Sequence, residues 1–69
     1  MTTQSIPFVA IHGAYFTQYG TTLSEDDPKS LLTRHSWGLI REAFPNSSLE
    51  EQARYTAAMI AAALAVVKS

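Results

Sequence analysis

Three features of the chain predict an all-α fold built on an antiparallel helical hairpin. Ser48–Val67, SLEEQARYTAAMIAAALAVV, contains no Gly or Pro, and from Ala57 to Val67 no charge. Residues 28–44 carry a second helical pattern. Phe44-Pro45-Asn46-Ser47 breaks the two apart with a connection so short that the helices must run antiparallel. A helix that is apolar on every side has to be covered on every side. The rest of a 69-residue chain is too short to do that alone. A second copy of the chain, dimerising through the C-terminal helix, is the simplest cover.

Size and composition lead to the same expectation. The chain is one small domain, 1–69, and a core of that size contributes only about 3–5 kcal/mol, so such scaffolds need a further staple. There are no cysteines, which removes disulfides and thiolate metal sites. Oligomerisation is what remains. The lack of Cys fits a cytoplasmic protein, and the N-terminus has neither the basic region nor the long apolar run of a signal peptide. Ala57–Val67 falls well short of the roughly 20 residues a membrane span requires. Five Lys and Arg against six Asp and Glu give a net charge of −1, a poor match for nucleic acid, whose binders neutralise phosphates with a basic face.

Met1–Gln4 is polar and expected to fray. Ser5–Gly20, SIPFVAIHGAYFTQYG, reads two ways. As a helix, Ser5 caps it, Pro7 sits in the first turn, and Phe8, Ile11, His12, Tyr15, Phe16 and Tyr19 recur at helical spacing before Gly20 closes it. As a strand, it is rich in Phe, Val, Ile, Tyr and Thr. Phe8-Val9-Ala10-Ile11 is continuous where a half-buried strand would alternate, so helix is favoured. Gly13 in the middle weakens that helix by about 1 kcal/mol.

Thr21–Asp27 is a polar connector. Asp27-Pro28 starts the next helix, with Asp as cap and Pro in the first position. Glu25, Asp26 and Asp27 suit the positive end of its dipole, and Arg41 suits the other end. Projected at 100° per residue, Leu31, Leu32, Leu39 and Ala43 line one side, with His35 and Ser36 among them. Trp37 stands off that side, beyond Ile40 and Phe44, with Ser30, Arg34 and Arg41. Pro45 ends the helix. Ser47 with Glu50, or Ser48 with Glu51, forms a capping box for the last helix. On that helix Leu49, Ala53, Ile60, Leu64 and Val67 form a stripe expected to pack on Leu32 and Leu39. Tyr55, Met59, Ala62 and Val66 form a second stripe, and Ala58, Ala61 and Ala65 a third. These two are the expected dimer interface.

No catalytic constellation is present. His12 and His35 are the only histidines, and no ligand spacing suggests a metal. No Gly-rich phosphate loop or nucleophile elbow occurs. The chain is therefore read as a non-enzyme with no cofactor and no metal. Trp37, flanked by Arg34 and Arg41 and joined by Ser30 and Tyr19, is the expected partner-binding site, because Trp and Arg dominate binding hot spots. The alternative for Trp37 is burial beneath Phe8, Tyr15 or Phe16.

In length and helical-hairpin pattern the chain resembles small phage host-takeover proteins, and more narrowly phage quorum-sensing anti-activators. No diagnostic motif carries this resemblance and no functional residue is transferred by it. It implies a homodimer that binds a host LuxR-type transcription regulator, and also a type IV pilus assembly ATPase, inhibiting by occlusion. The acidic residues Glu25, Asp26, Asp27, Glu50 and Glu51 would meet the regulator's basic surface. The competing class is a small dimeric DNA-binding regulator of ribbon-helix-helix type, which needs residues 7–16 to be a strand. The absence of Lys and Arg from Ser5–Gly20 counts against it.

Overall fold

Among the described residues there are three helices: α1 (Phe8–Tyr19), α2 (Lys29–Ala43) and α3 (Leu49–Lys68). They are seen in a computed structural model that describes residues 6–23 and 29–68. Among the described residues there is no strand. The segment that would supply a DNA-reading ribbon is helical over Phe8–Tyr19, so the ribbon-helix-helix alternative loses its defining element. Met1–Gln4, the Ser5 cap, the Glu25-Asp26-Asp27 run and the Asp27-Pro28 helix start lie outside the described residues.

α1 begins later than Ser5 would have set it. Pro7 occupies the cap position and contributes no side-chain hydrogen bond; its carbonyl accepts from Ile11 N–H at 3.0 Å. The other end is as expected. Gly20 takes a left-handed conformation, φ 73°, and its N–H donates to the Phe16 carbonyl at 2.8 Å. A side chain with a Cβ resists that conformation, and Gly does not.

The turn between α2 and α3 is built from hydrogen bonds. Ser48 and Glu51 form the capping box: Ser48 N–H donates to Glu51 Oε1 at 3.1 Å, and Glu51 N–H donates to Ser48 Oγ at 3.2 Å. Ser47 does not pair with Glu50; its hydroxyl donates to the Phe44 carbonyl at 2.6 Å. Gln52, buried one turn into α3, reaches back with its Nε2 to the carbonyls of Phe44 and Ser47, both at 3.3 Å. The Phe44 and Ser47 carbonyls of the turn thus find partners inside the chain.

α3 is the centre of the molecule. It packs against both α1 and α2, which meet each other only lightly. Ile11 and Tyr15 of α1, Leu23 from the connector, Trp37 of α2, and Ala53, Ala57 and Ile60 of α3 form the core. Much of the α2–α3 contact is made by small side chains: Thr33 and Ser36 are buried on one helix, Ala53, Thr56 and Ala57 on the other. Small contact residues bring helix axes toward the close end of the usual 8–10 Å range. Thr56 is satisfied within its own helix, donating to the Gln52 carbonyl at 2.7 Å.

Three expectations are overturned. Trp37 is only 7% exposed and belongs to the core, the burial that is its alternative reading. Leu31 and Leu39, expected inside, are 69% and 41% exposed, and Ala43 is exposed too. α2 is therefore turned by roughly a third of a revolution, at 100° per residue, from the orientation its leucines predict. Leu49, expected to lead the packed stripe of α3, is likewise 56% exposed, whereas Ala53 and Ile60 of the same stripe are buried.

Replacing a core Trp by Ala costs about 3–5 kcal/mol, as much as a core of this size provides. Trp37→Ala is therefore expected to abolish the cooperative thermal transition followed by circular dichroism. Ser48→Ala, which removes one cap, should cost about 0.5–2 kcal/mol and leave the transition cooperative.

Candidate functional site

The expected hot spot around Trp37 is a structural cluster. The Arg41 guanidinium sits 5.2 Å from the centre of the Trp37 ring and shields it from water. Arg34 goes elsewhere, 5.5 Å over the Phe8 ring, which in turn leans on His12 at 5.6 Å between ring centres. Arg34 thus bridges α2 to α1 and Arg41 covers the indole of its own helix, and Trp37, 7% exposed, offers no surface for a partner. Trp37 Nε1 and His12 Nε2 are the buried side-chain polar atoms that lack a hydrogen-bond partner among the described residues. Tyr19 is 44% exposed and stacks on Tyr15, with ring centres 4.9 Å apart. The Ser30 side chain lies outside what is described.

Two surfaces remain. The first is the side of the α2–α3 pair that faces away from α1. The direction of α1 is fixed by Arg34, which reaches Phe8, and by Leu49, Glu50, Ala53 and Arg54, which share a groove with α1. Projection of each helix then places Leu39 and Ala43 of α2 on the opposite side, together with Tyr55, Met59, Ala62 and Val66 of α3. Phe44 and Tyr55 meet there, ring centres 5.1 Å apart. Tyr55, Ala58, Ala62 and Val66 are exposed, Val66 by 74%. Met59 and Ala61 are half-buried against their own chain. From Tyr55 to Val67 no charge interrupts this side of α3.

The second surface is a groove of about 550 Å³ between α1 and the first two turns of α3. Half-buried Ala10 and Ala14 of α1 and buried Ala53 of α3 line its depth; Val9, Gly13, Thr17 and Gln18 on one side and Leu49, Glu50 and Arg54 on the other form exposed rims. Gly13 widens it, since a Cβ there would meet nothing within 4 Å. The Thr17 hydroxyl is turned back onto its own helix, donating to the Gly13 carbonyl at 2.9 Å, and so points no donor into the groove. Glu50 and Arg54 stand one turn apart with no ion pair between them. Nothing in the amino-acid pattern separated this groove from an ordinary helix contact. It arises because α1 presents Ala10, Gly13 and Ala14 to a helix that itself presents Ala53.

Among the described residues no group of three or more His, Asp or Glu side chains could hold a metal ion, and no helix is long and apolar enough to cross a membrane. Compared with protein families, curated proteins and solved structures, the chain matches none.

Arg41→Ala is expected to lower stability by about 0.5–1 kcal/mol, the usual strength of an exposed cation–π contact. Leu31→Glu, at an open position on α2, should change it by no more than about 0.5 kcal/mol. Chemical denaturation of the two variants checks both and separates the covered from the uncovered side of α2.

Proposed function

We propose that this chain is a non-enzymatic protein-binding module that works as a homodimer, with α2 and α3 as an antiparallel hairpin and α3 as the main dimer contact. The observation that carries this reading is the continuous apolar side of the α2–α3 pair: Leu39, Phe44, Tyr55, Ala62 and Val66 are all exposed on a chain of 69 residues. Monomeric proteins rarely leave a large contiguous apolar patch in water. A two-fold pairing meets each such patch with its own copy. Charge supports a second copy as the occupant. Glu50 and Glu51 open α3 and Lys68 closes it, with no charge from Tyr55 to Val67. Two α3 helices packed antiparallel would set acidic ends near basic ends and oppose their dipoles.

The target of such a dimer is a regulatory protein held in an occluded state. The likeness in length and helical pattern to phage quorum-sensing anti-activators supports a host LuxR-type transcription regulator, and a pilus assembly ATPase as a further partner. Glu50 and Glu51 supply part of an acidic surface for a basic one. The site residues named for this role differ from the sequence expectation, because Trp37 is in the core.

Sedimentation at low micromolar concentration should give twice the chain mass of 7.6 kDa. Ala62→Glu and Val66→Glu should each return the protein to a folded monomer, since a buried unpaired charge costs far more than the contact it replaces. A compact 7.6 kDa species for the unmodified chain would overturn self-association. Capture of purified LuxR-type regulator by the immobilised dimer tests the target.

A further inference from the structure

We infer that the α1–α3 groove is the target-binding site, and that its occupant is one amphipathic α-helix of the partner protein. This deepens the protein-binding reading and rests on it, but does not depend on self-association. The groove follows α1 from Val9 to Gln18, a rise of about 13–14 Å at 1.5 Å per residue, which matches about two and a half turns of a docked helix. Its depth is made of Ala10, Ala14 and Ala53, and Gly13 adds no side chain to its edge, so an incoming helix meets only small residues on the way in. Helix-in-groove recognition uses such a surface, read by aliphatic anchors at i, i+4 and i+7.

The rim chooses among occupants. Small-molecule sites bury about 70–90% of their ligand between converging polar groups. Here Val9 is 87% exposed and Leu49 56%, and the two charged side chains lie along one wall with opposite signs. Phosphate backbones and anionic membranes call for clustered Lys and Arg, whereas Arg54 is balanced by Glu50 one turn away. A second copy inserting its own helix would make a head-to-tail contact that builds open chains. A helix carrying a basic residue and an acidic residue one turn apart along its edge meets Glu50 and Arg54 in turn. The groove and the proposed dimer face lie on different sides of α3, so both surfaces stay available together.

The test is selection from a displayed library of helical peptides of about four turns, panned on the full-length protein and counter-selected on Gly13→Leu. That variant sets a bulky side chain on the groove's rim in the path of an incoming helix, and no atom stands within 4 Å of the new Cβ to disturb the fold. Enriched peptides should repeat aliphatic residues at i, i+4 and i+7 with a basic and an acidic residue one turn apart at the flank. The best of them should bind Gly13→Leu and Arg54→Glu at least about tenfold more weakly, and a peptide with its acidic residue changed to Lys should recover binding to Arg54→Glu. No enrichment over Gly13→Leu, enrichment of extended sequences, or peptide resonance shifts confined to Tyr55, Ala62 and Val66 would each overturn the groove as the site. Sedimentation of Gly13→Leu should match that of the unmodified chain; growth of open chains that Gly13→Leu suppresses would make a second copy the occupant. Loss of self-association with peptide binding intact would remove the dimer and leave the groove standing.

Discussion

Everything in this molecule depends on how one long helix is kept from water. α3 needs cover over twenty residues, and α1 and α2 are the two elements available to give it. They divide the work by lying on adjacent sides of α3 with little contact between themselves. The sector between them is dry: Ala53, Thr56, Ala57 and Ile60 are almost wholly buried. The opposite sector, from Ala58 through Ala62 to Val66, is exposed. Two helices cannot surround a third, so an exposed side of α3 follows from the number of elements. What the sequence adds is that this side carries no charge after Arg54 until Lys68.

The ends of the helices were legible in the sequence because they are settled by local chemistry. Gly20, Pro45 and the Ser48–Glu51 box act within a few residues of themselves, and the chain uses them as read. The start of α1 was less so. Pro7 occupies the cap position without a side-chain hydrogen bond, where a helix start one residue earlier would have put it in the first turn. Gln52 was missed for the opposite reason. Its reach to the Phe44 and Ser47 carbonyls spans a turn whose shape had to be known first.

The rotation of α2 was not legible, and the cause is instructive. Periodicity finds the most apolar side of a helix, but does not say which neighbour covers it. Leu31, Leu32, Leu39 and Ala43 do make the most regular stripe. Against them, burying one Trp removes about 150–250 Å² from water, and the sector that contains Trp37 also holds Thr33 and Ser36, which let α2 come close to α3. With Trp37 inward, Arg34 and Arg41 can lay their guanidinium groups on Phe8 and on the indole. With the leucines inward, Trp37 would be wet. The same choice dissolves the supposed hot spot: the features that make Trp and Arg good at binding a partner also make them good at closing a core.

The leucine stripe is then displaced from the core and becomes surface. Leu39 and Ala43 join Tyr55, Ala62 and Val66 on the side away from α1, and the alanines of α1 and α3 open a groove on the other. These surfaces differ in kind. The first is broad and, on α3, free of charge from Tyr55 to Val67, and is the surface proposed to meet a second copy. The second is narrow, floored by small residues and edged by one acid and one base, which suits a single helix of a different sequence. A chain of this size has only one inward-facing core, so what it offers to other molecules is determined by how its three helices are turned about their own axes. In α2 that turn is set by Trp37, and both surfaces are arranged around a side chain that neither of them contains.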